Sequence, residues 1–151
     1  MKYDSYPSAA VADDLSVFEF VSKGRRGDIR KRIVFAPTSF RGLYSLSFGI
    51  ITKENKLDYY SVTDNGDRNK ILATVFKAVA LYTKQYPARW IYFIGSTKER
   101  IRLYRRVISI NLEELQLHFD IYAELEEEEK IVPFRKNMEI NAFLIKRKTR
   151  S

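Results

Sequence analysis

The sequence predicts an α+β fold: a largely antiparallel sheet in the order four strands, helix, strand, helix, two further strands, with two main helices packed on one face. Three observations carry this expectation. Residues 15–62 hold stretches of alternating apolar and polar character separated by short turns. An amphipathic helical stripe follows Asp64-Asn65-Gly66-Asp67 and ends before Pro87. The apolar run Trp90–Ile94 then leads through Gly95-Ser96-Thr97 into a second helix. Short links between strands imply hairpins, and hairpins imply antiparallel pairing.

Each element has its own reason. Residues 1–14 are polar and lack periodicity, as a loose N-terminal segment would. Leu15–Ser22 reads as a strand with Phe18 and Phe20 on one face. Lys23-Gly24-Arg25-Arg26-Gly27-Asp28 is a turn, its glycines supplying permissive backbone. Ile29–Phe35 alternates, with Ile29, Ile33 and Phe35 on one face and Arg30, Arg32 and Val34 on the other. Lys31 interrupts the apolar face, which suggests an edge strand. Pro37–Gly42 is a loop, and Leu43–Ile51 a third strand with Leu46, Phe48 and Ile50 inward. Lys53–Lys56 is a turn before a fourth strand, Leu57–Val62.

Asp64-Asn65-Gly66-Asp67 stops the sheet, because Asp and Asn bond their own backbone and glycine permits positive φ. Asp67 or Asn65 supplies an N-cap. The stripe Ile71, Leu72, Val75, Ala78, Val79 and Tyr82 then defines one face of a helix, with Lys70, Lys77 and Lys84 opposite. Trp90–Ile94 has the continuous apolar character of an interior strand. Ser96 or Thr97 caps the second helix, with Glu99 near the capping-box position, and the helix runs to about Ile108. Asn111–Leu115 is a short helical piece, His118–Leu125 a strand, and Glu126–Glu129 an acidic connection. Phe134–Ile145 ends in a further strand, before a basic tail over residues 146–151.

The chain of 151 residues is most simply a single domain, 1–151, with enough length to bury a core. Hydrophobic content of 45% is that of a globular protein. No cysteine is present, which excludes disulfides, thiolate metal sites and a cysteine nucleophile. The start of the chain does not read as a signal peptide, and no stretch approaches the ~20 apolar residues of a membrane span. A cytoplasmic protein without a membrane partner is the expectation.

The balance of 27 basic to 19 acidic residues gives a net charge of +8. Such an excess attracts polyanions. It is concentrated in Lys23, Arg25, Arg26, Arg30, Lys31 and Arg32, with Phe18, Phe20 and Phe35 on the same ribbon. Cations interleaved with rings suit single-stranded nucleic acid, in which charges follow the backbone and rings stack bases. The competing reading is that these rings are core and these charges are solvated.

A second constellation surrounds Arg100. Ile101, Tyr104, Val107 and Ile108 form the apolar side of its helix, and Arg100 falls at the edge of that side while Arg102 and Arg106 point away. A partly buried arginine requires a carboxylate or a phosphate. Asp64 and Asp67 would make an internal clasp. Alternatively Gly95, Ser96, Thr97 and Arg100 would hold a phosphate at the helix start, although no nucleotide-binding glycine pattern accompanies them. Asp64, Asp67, Asp58 and Glu54 could also gather at one end of the sheet, where a Mg²⁺ ion would find carboxylates. His118 is the single histidine, and no second histidine or nucleophile-elbow serine accompanies it. No catalytic residue, resident metal or cofactor is assigned.

The combination of Asp64-Asn65-Gly66-Asp67, Ala73-Thr74-Val75, Pro87, Gly95-Ser96, Arg100 and Leu103-Tyr104 resembles an uncharacterised bacterial family, a domain of unknown function whose members are single-domain chains of about this length. The resemblance runs from the Gly24–Gly27 hairpin to the strand Ala142–Ile145. It implies a shared fold and brings no established activity. At Arg25-Arg26 the chain departs from the glycine-proline type of turn associated with relatives. Four strands followed by a helix are also similar to Whirly- and Pur-type single-strand binders, at the level of topology only.

The leading expectation is a non-enzymatic nucleic-acid-binding module for single strands. The alternatives are a protein-interaction or homodimerisation module, and an enzyme or binder for a phosphorylated small molecule.

Overall fold

The computed structural model of the chain describes residues 3–58, 65–94, 98–125 and 130–148. Its elements are β1 (Ala9–Ala10), β2 (Val17–Gly24), β3 (Gly27–Pro37), β4 (Leu43–Ile51), β5 (Leu57–Asp58), α1 (Arg68–Gln85), β6 (Trp90–Ile94), α2 (Lys98–Ile110), α3 (Leu112–Gln116), β7 (Phe119–Leu125), β8 (Ile131–Pro133) and β9 (Ile140–Arg147). The strands form one mostly antiparallel sheet in the order β1-β2-β3-β4-β6-β9-β7-β8, with β5 beside the end of β4. The fold is α+β, as the sequence predicts.

The register explains how the chain closes. β2 and β3 make a long hairpin from Val17↔Val34 to Gly24↔Gly27, and β3 continues onto β4. The chain then crosses over through α1, so β6 returns parallel to β4, with Leu43 beside Trp90 and Leu46 beside Phe93. β9 fills the gap between β6 and β7, antiparallel to both.

The three described helices lie on one face. Tyr82 of α1 stacks on Phe35 with ring centroids 4.0 Å apart, and Phe76 meets Phe93 edge-on. Tyr104 of α2 packs on Phe48 and Phe93, and Leu115 of α3 joins the same buried cluster. Every residue of the α1 stripe read from the sequence is buried. Burying one broad apolar stripe against a ring-rich sheet is the main stabilising term here. Two arginines fasten the layers. The Arg89 guanidinium lies 3.8 Å from the Tyr86 ring centre and 4.2 Å from that of Tyr44, and donates to the Tyr82 hydroxyl. Arg147 donates to Ala80 O at 2.7 Å, tying β9 to α1.

Several expectations are corrected. β3 is an interior strand, flanked by β2 and β4, so Lys31 does not mark an edge. Its side chain faces the helix layer and is 3% exposed. Within residues 3–14 the segment is anchored at two points: Tyr6 is buried with its backbone N–H donating to Thr74 Oγ1 at 2.8 Å, and β1 pairs with β2. Of the supposed basic tail, Lys146 and Arg147 belong to β9, and the Lys148 N–H donates to His118 O. β8 is an additional short strand. Of the predicted fourth strand, residues 59–62 lie outside the described residues.

Candidate nucleic-acid interface

The basic hairpin is held from below by the turn that the sequence singles out. Asn65 is 4% exposed and spends its side chain on the hairpin. Its Oδ1 accepts from the Arg26 N–H at 2.6 Å, and its Nδ2 donates to Gly27 O at 3.0 Å and to Ser22 Oγ at 3.1 Å. A Cβ on Gly24 would fall 2.0 Å from the Asn65 carbonyl oxygen, so only glycine allows this approach. Gly27 has φ +86°, which lets the chain reverse after Arg25-Arg26.

Asp67 adds a second brace. It occupies the N-cap position of α1 but makes no side-chain cap hydrogen bond. Its Oδ2 instead accepts from the Tyr6 hydroxyl and from Ser22 Oγ, each at 2.5 Å. The Tyr6 oxygen also accepts from the Lys23 N–H at 3.0 Å. Burial pushes the Tyr6 phenol above its ordinary value, and the bond to Asp67 adds to that shift. The N-terminal segment, the hairpin and the start of α1 therefore share one hydrogen-bonded knot. Asp67 Oδ1 is buried without a partner among the described residues.

The six predicted basic residues divide. Lys23, Arg25, Arg26 and Arg30 are exposed. Arg32 donates to Glu19 Oε2 through Nε at 2.9 Å and Nη2 at 2.7 Å, and Arg30 lies 3.5 Å from the other Glu19 oxygen. Lys31 points inward, away from that surface. Burial lowers its ammonium below the ordinary value, Arg100 lowers it further, and Asp67 opposes the shift. The rings of the ribbon are core: Phe18, Phe20 and Phe35 are 2–4% exposed. They cannot reach a base, so the stacking half of the sequence argument fails on this ribbon.

Arg100 sits with its guanidinium 5.1 Å from the Phe48 ring centre, at the margin of the core as its helical position predicts. Asp64, Ser96 and Thr97 lie outside the described residues, as does Gly95. Among the described residues no group of three or more His, Asp or Glu is placed to hold a metal ion. Also among them, no helix is long and apolar enough to cross a membrane. His118 is exposed at the end of α3.

The sequence reading missed the second face of the sheet. On β6, Ile91 and Phe93 point into the core, so Trp90 and Tyr92 point the other way. Tyr92 pairs across Leu144 with Tyr122, and the Trp90 and Tyr122 rings meet at 5.4 Å. Lys146 Nζ stands 5.6 Å from the Trp90 ring centre. Burial raises the Tyr92 phenol above its ordinary value, and Glu124 beside it adds to the rise. Period-2 alternation within Trp90–Ile94 was the available signal, hidden because both halves of the alternation are apolar.

A family model described as a family of unknown function, DUF6934, matches residues 2–148. The chain belongs to that family. No curated protein and no solved structure matches the chain. Membership in DUF6934 agrees with the expected resemblance to a domain of unknown function. The structural role of the Asp64–Asp67 motif is now visible in part: in this DUF6934 chain, Asn65 and Asp67 brace the Arg25-Arg26 hairpin.

Proposed function

We propose that this DUF6934 protein is a non-enzymatic, cytoplasmic nucleic-acid-binding module with a preference for single strands. The observation that carries the reading is the braced hairpin. Lys23, Arg25 and Arg26 are exposed on a turn whose backbone is held by buried Asn65. A cationic tip fixed before contact loses little conformational entropy on binding a phosphate chain. The net charge of +8 supplies long-range attraction. A chain without cysteine needs no oxidising compartment, which agrees with the cytoplasm.

The test is fluorescence anisotropy of labelled single-stranded DNA and RNA at low and physiological salt. Arg25→Glu/Arg26→Glu is the chosen variant, because it leaves the Glu19 pairs untouched. Affinity should fall with log salt at a slope of about −0.7 per phosphate contacted, and the variant should lose most of its binding while keeping its melting temperature. Salt-independent binding, or equal binding by the variant, overturns the reading.

One observation favours a second reading, binding of a phosphorylated small molecule. Buried Lys31 and Arg100, at the margin of the core, lie within electrostatic reach of each other, and two cations held so close favour an anion beside them. Thermal stabilisation by nucleotides or sugar phosphates, lost in Arg100→Ala without loss of basal stability, would support it.

A further inference from the structure

We propose that the face of the sheet that no described helix covers is the track for the strand, leading from the hairpin cations past Arg30 and Arg32 to a stacking platform of Trp90, Tyr92 and Tyr122, with Lys146 at its margin. This rests on the nucleic-acid reading and adds to it the surface that meets the bases.

The placement follows from register. In β3, the inward residues Ile33 and Phe35 are buried, so Arg30 and Arg32 share the outward face. Arg32 lies opposite Gly49, and Leu43 of the same β4 lies beside Trp90. From the Arg32 row to the Trp90 row is therefore ~20 Å along the strands at ~3.3 Å per residue, and ~10 Å across them. The hairpin tip extends the path further at its far end. A route of this length suits the ~4–16 nucleotides that single-strand grooves cover.

The chemistry of the platform points to unpaired bases. Trp90, Tyr92 and Tyr122 are partly exposed, and all helices described lie on the opposite face. A broad sheet gives bases flat surfaces to stack on only when they are not stacked and paired in a duplex. Lys146 places a cation beside the indole, opposite Asp120 on the next strand. The face also carries Glu19, which partly neutralises Arg30 and Arg32 while orienting them, Asp28 opposite Lys23 and Asp120 opposite Lys146. The phosphates therefore follow the cations of the Arg25-Arg26 tip, while the sheet contributes ring surface rather than net charge. Glu124, hydrogen-bonded by Tyr92 at 3.4 Å, marks the acidic margin. The face runs on from the exposed Arg25-Arg26 tip, whose charge a phosphate chain pairs with and a second copy of this +8 chain repels.

Trp90 is the single tryptophan, so its fluorescence reports on the platform. Titrating the full-length protein with unlabelled oligothymidylate should quench Trp90 emission in parallel with anisotropy, and a matched duplex should not. Trp90→Ala and Tyr122→Ala should each weaken single-strand binding about 5- to 100-fold. Glu19→Gln should tighten it several-fold at low salt, because two guanidiniums are released toward the phosphates. Binding with unchanged Trp90 emission and full affinity in Tyr122→Ala removes the platform and leaves the hairpin reading standing. No binding under any condition removes both. Trp90 emission that shifts with protein concentration alone, together with a dimer in sedimentation, assigns the face to a second copy and overturns the proposal.

Discussion

Lys31 and Arg32 are chain neighbours in β3 with opposite surroundings. Lys31 faces the helices and is 3% exposed, whereas the Arg32 side chain is 24% exposed and paired with Glu19 on the opposite face. The same contrast holds for aromatics. Phe35 is stacked under Tyr82, while Trp90 and Tyr122 meet on a face that no described helix covers. Strand alternation sorts side chains onto two faces. The described helices, with Tyr6 and Phe134 beside them, decide which face becomes core. Residue type therefore misleads here: a lysine is inside and a tryptophan is partly outside. The inner face carries stability, and the outer face is where the proposed binding would take place.

The sharpest way to break this comparison is to remove a ring from each face. Phe35→Ala should cost about 3–5 kcal/mol, since it leaves a cavity against Tyr82. Tyr122→Ala should cost about 1 kcal/mol or less, as substitutions away from a packed core do. Urea unfolding of both variants tests the contrast. Comparable losses would mean that the second face is covered too.

The brace under the hairpin comes next. Asn65→Ala strands the Arg26 N–H and the Gly27 carbonyl, and should cost about 2 kcal/mol. Because the hairpin tip loses its anchor, nucleic-acid affinity should fall in a variant whose cationic residues are all intact. Undiminished affinity would show that a flexible tip serves equally well.

Much of the architecture was legible because it is written at short range. β4 was read with its observed bounds, α1 by its stripe, and the hairpin by its glycines. What was not legible depends on distant partners. Tyr6 looks like a stray ring in a polar segment, and its anchors Thr74 and Asp67 lie 68 and 61 residues away. Arg147 reads as part of a tail until Ala80 supplies a carbonyl 67 residues away. The Asp64–Asp67 motif was visible as a turn. Its service to a hairpin 39 residues earlier was not, since no local pattern records which backbone Asn65 caps. Likewise the cations of the candidate site were plain in the sequence, whereas their division into inward and outward sets required the register.

Lys31 gives a subtler contrast, in pH dependence. Burial lowers its folded-state value below the ordinary 10.5, so the unfolded chain binds more protons just below that pH. Stability should therefore rise with pH as Lys31 loses its proton in the folded state. Comparing the wild type with Lys31→Met by urea unfolding at successive pH values isolates this slope, because the buried tyrosines contribute equally to both. Arg30→Met, one residue away and exposed, should leave the slope unchanged. Equal slopes in all three proteins would mean that water reaches Lys31.

The smallest effect belongs to the outer-face ion pair. Arg32 meets Glu19 through two nitrogens, which favours a measurable interaction. Both side chains remain about a quarter exposed, at 24% and 23%, so screening and competing water limit it. A double-mutant cycle with Arg32→Met and Glu19→Gln should give a coupling of about 0.2–1 kcal/mol, shrinking as salt is added. The pair's larger role is in charge placement. Glu19 holds Arg32 extended along the sheet while lowering the local positive potential, so breaking the pair should change stability little and binding more. If Glu19→Gln instead destabilises the fold by several kcal/mol and leaves affinity unchanged, the pair is structural, and the outer face is closer in kind to the inner one than its exposure indicates.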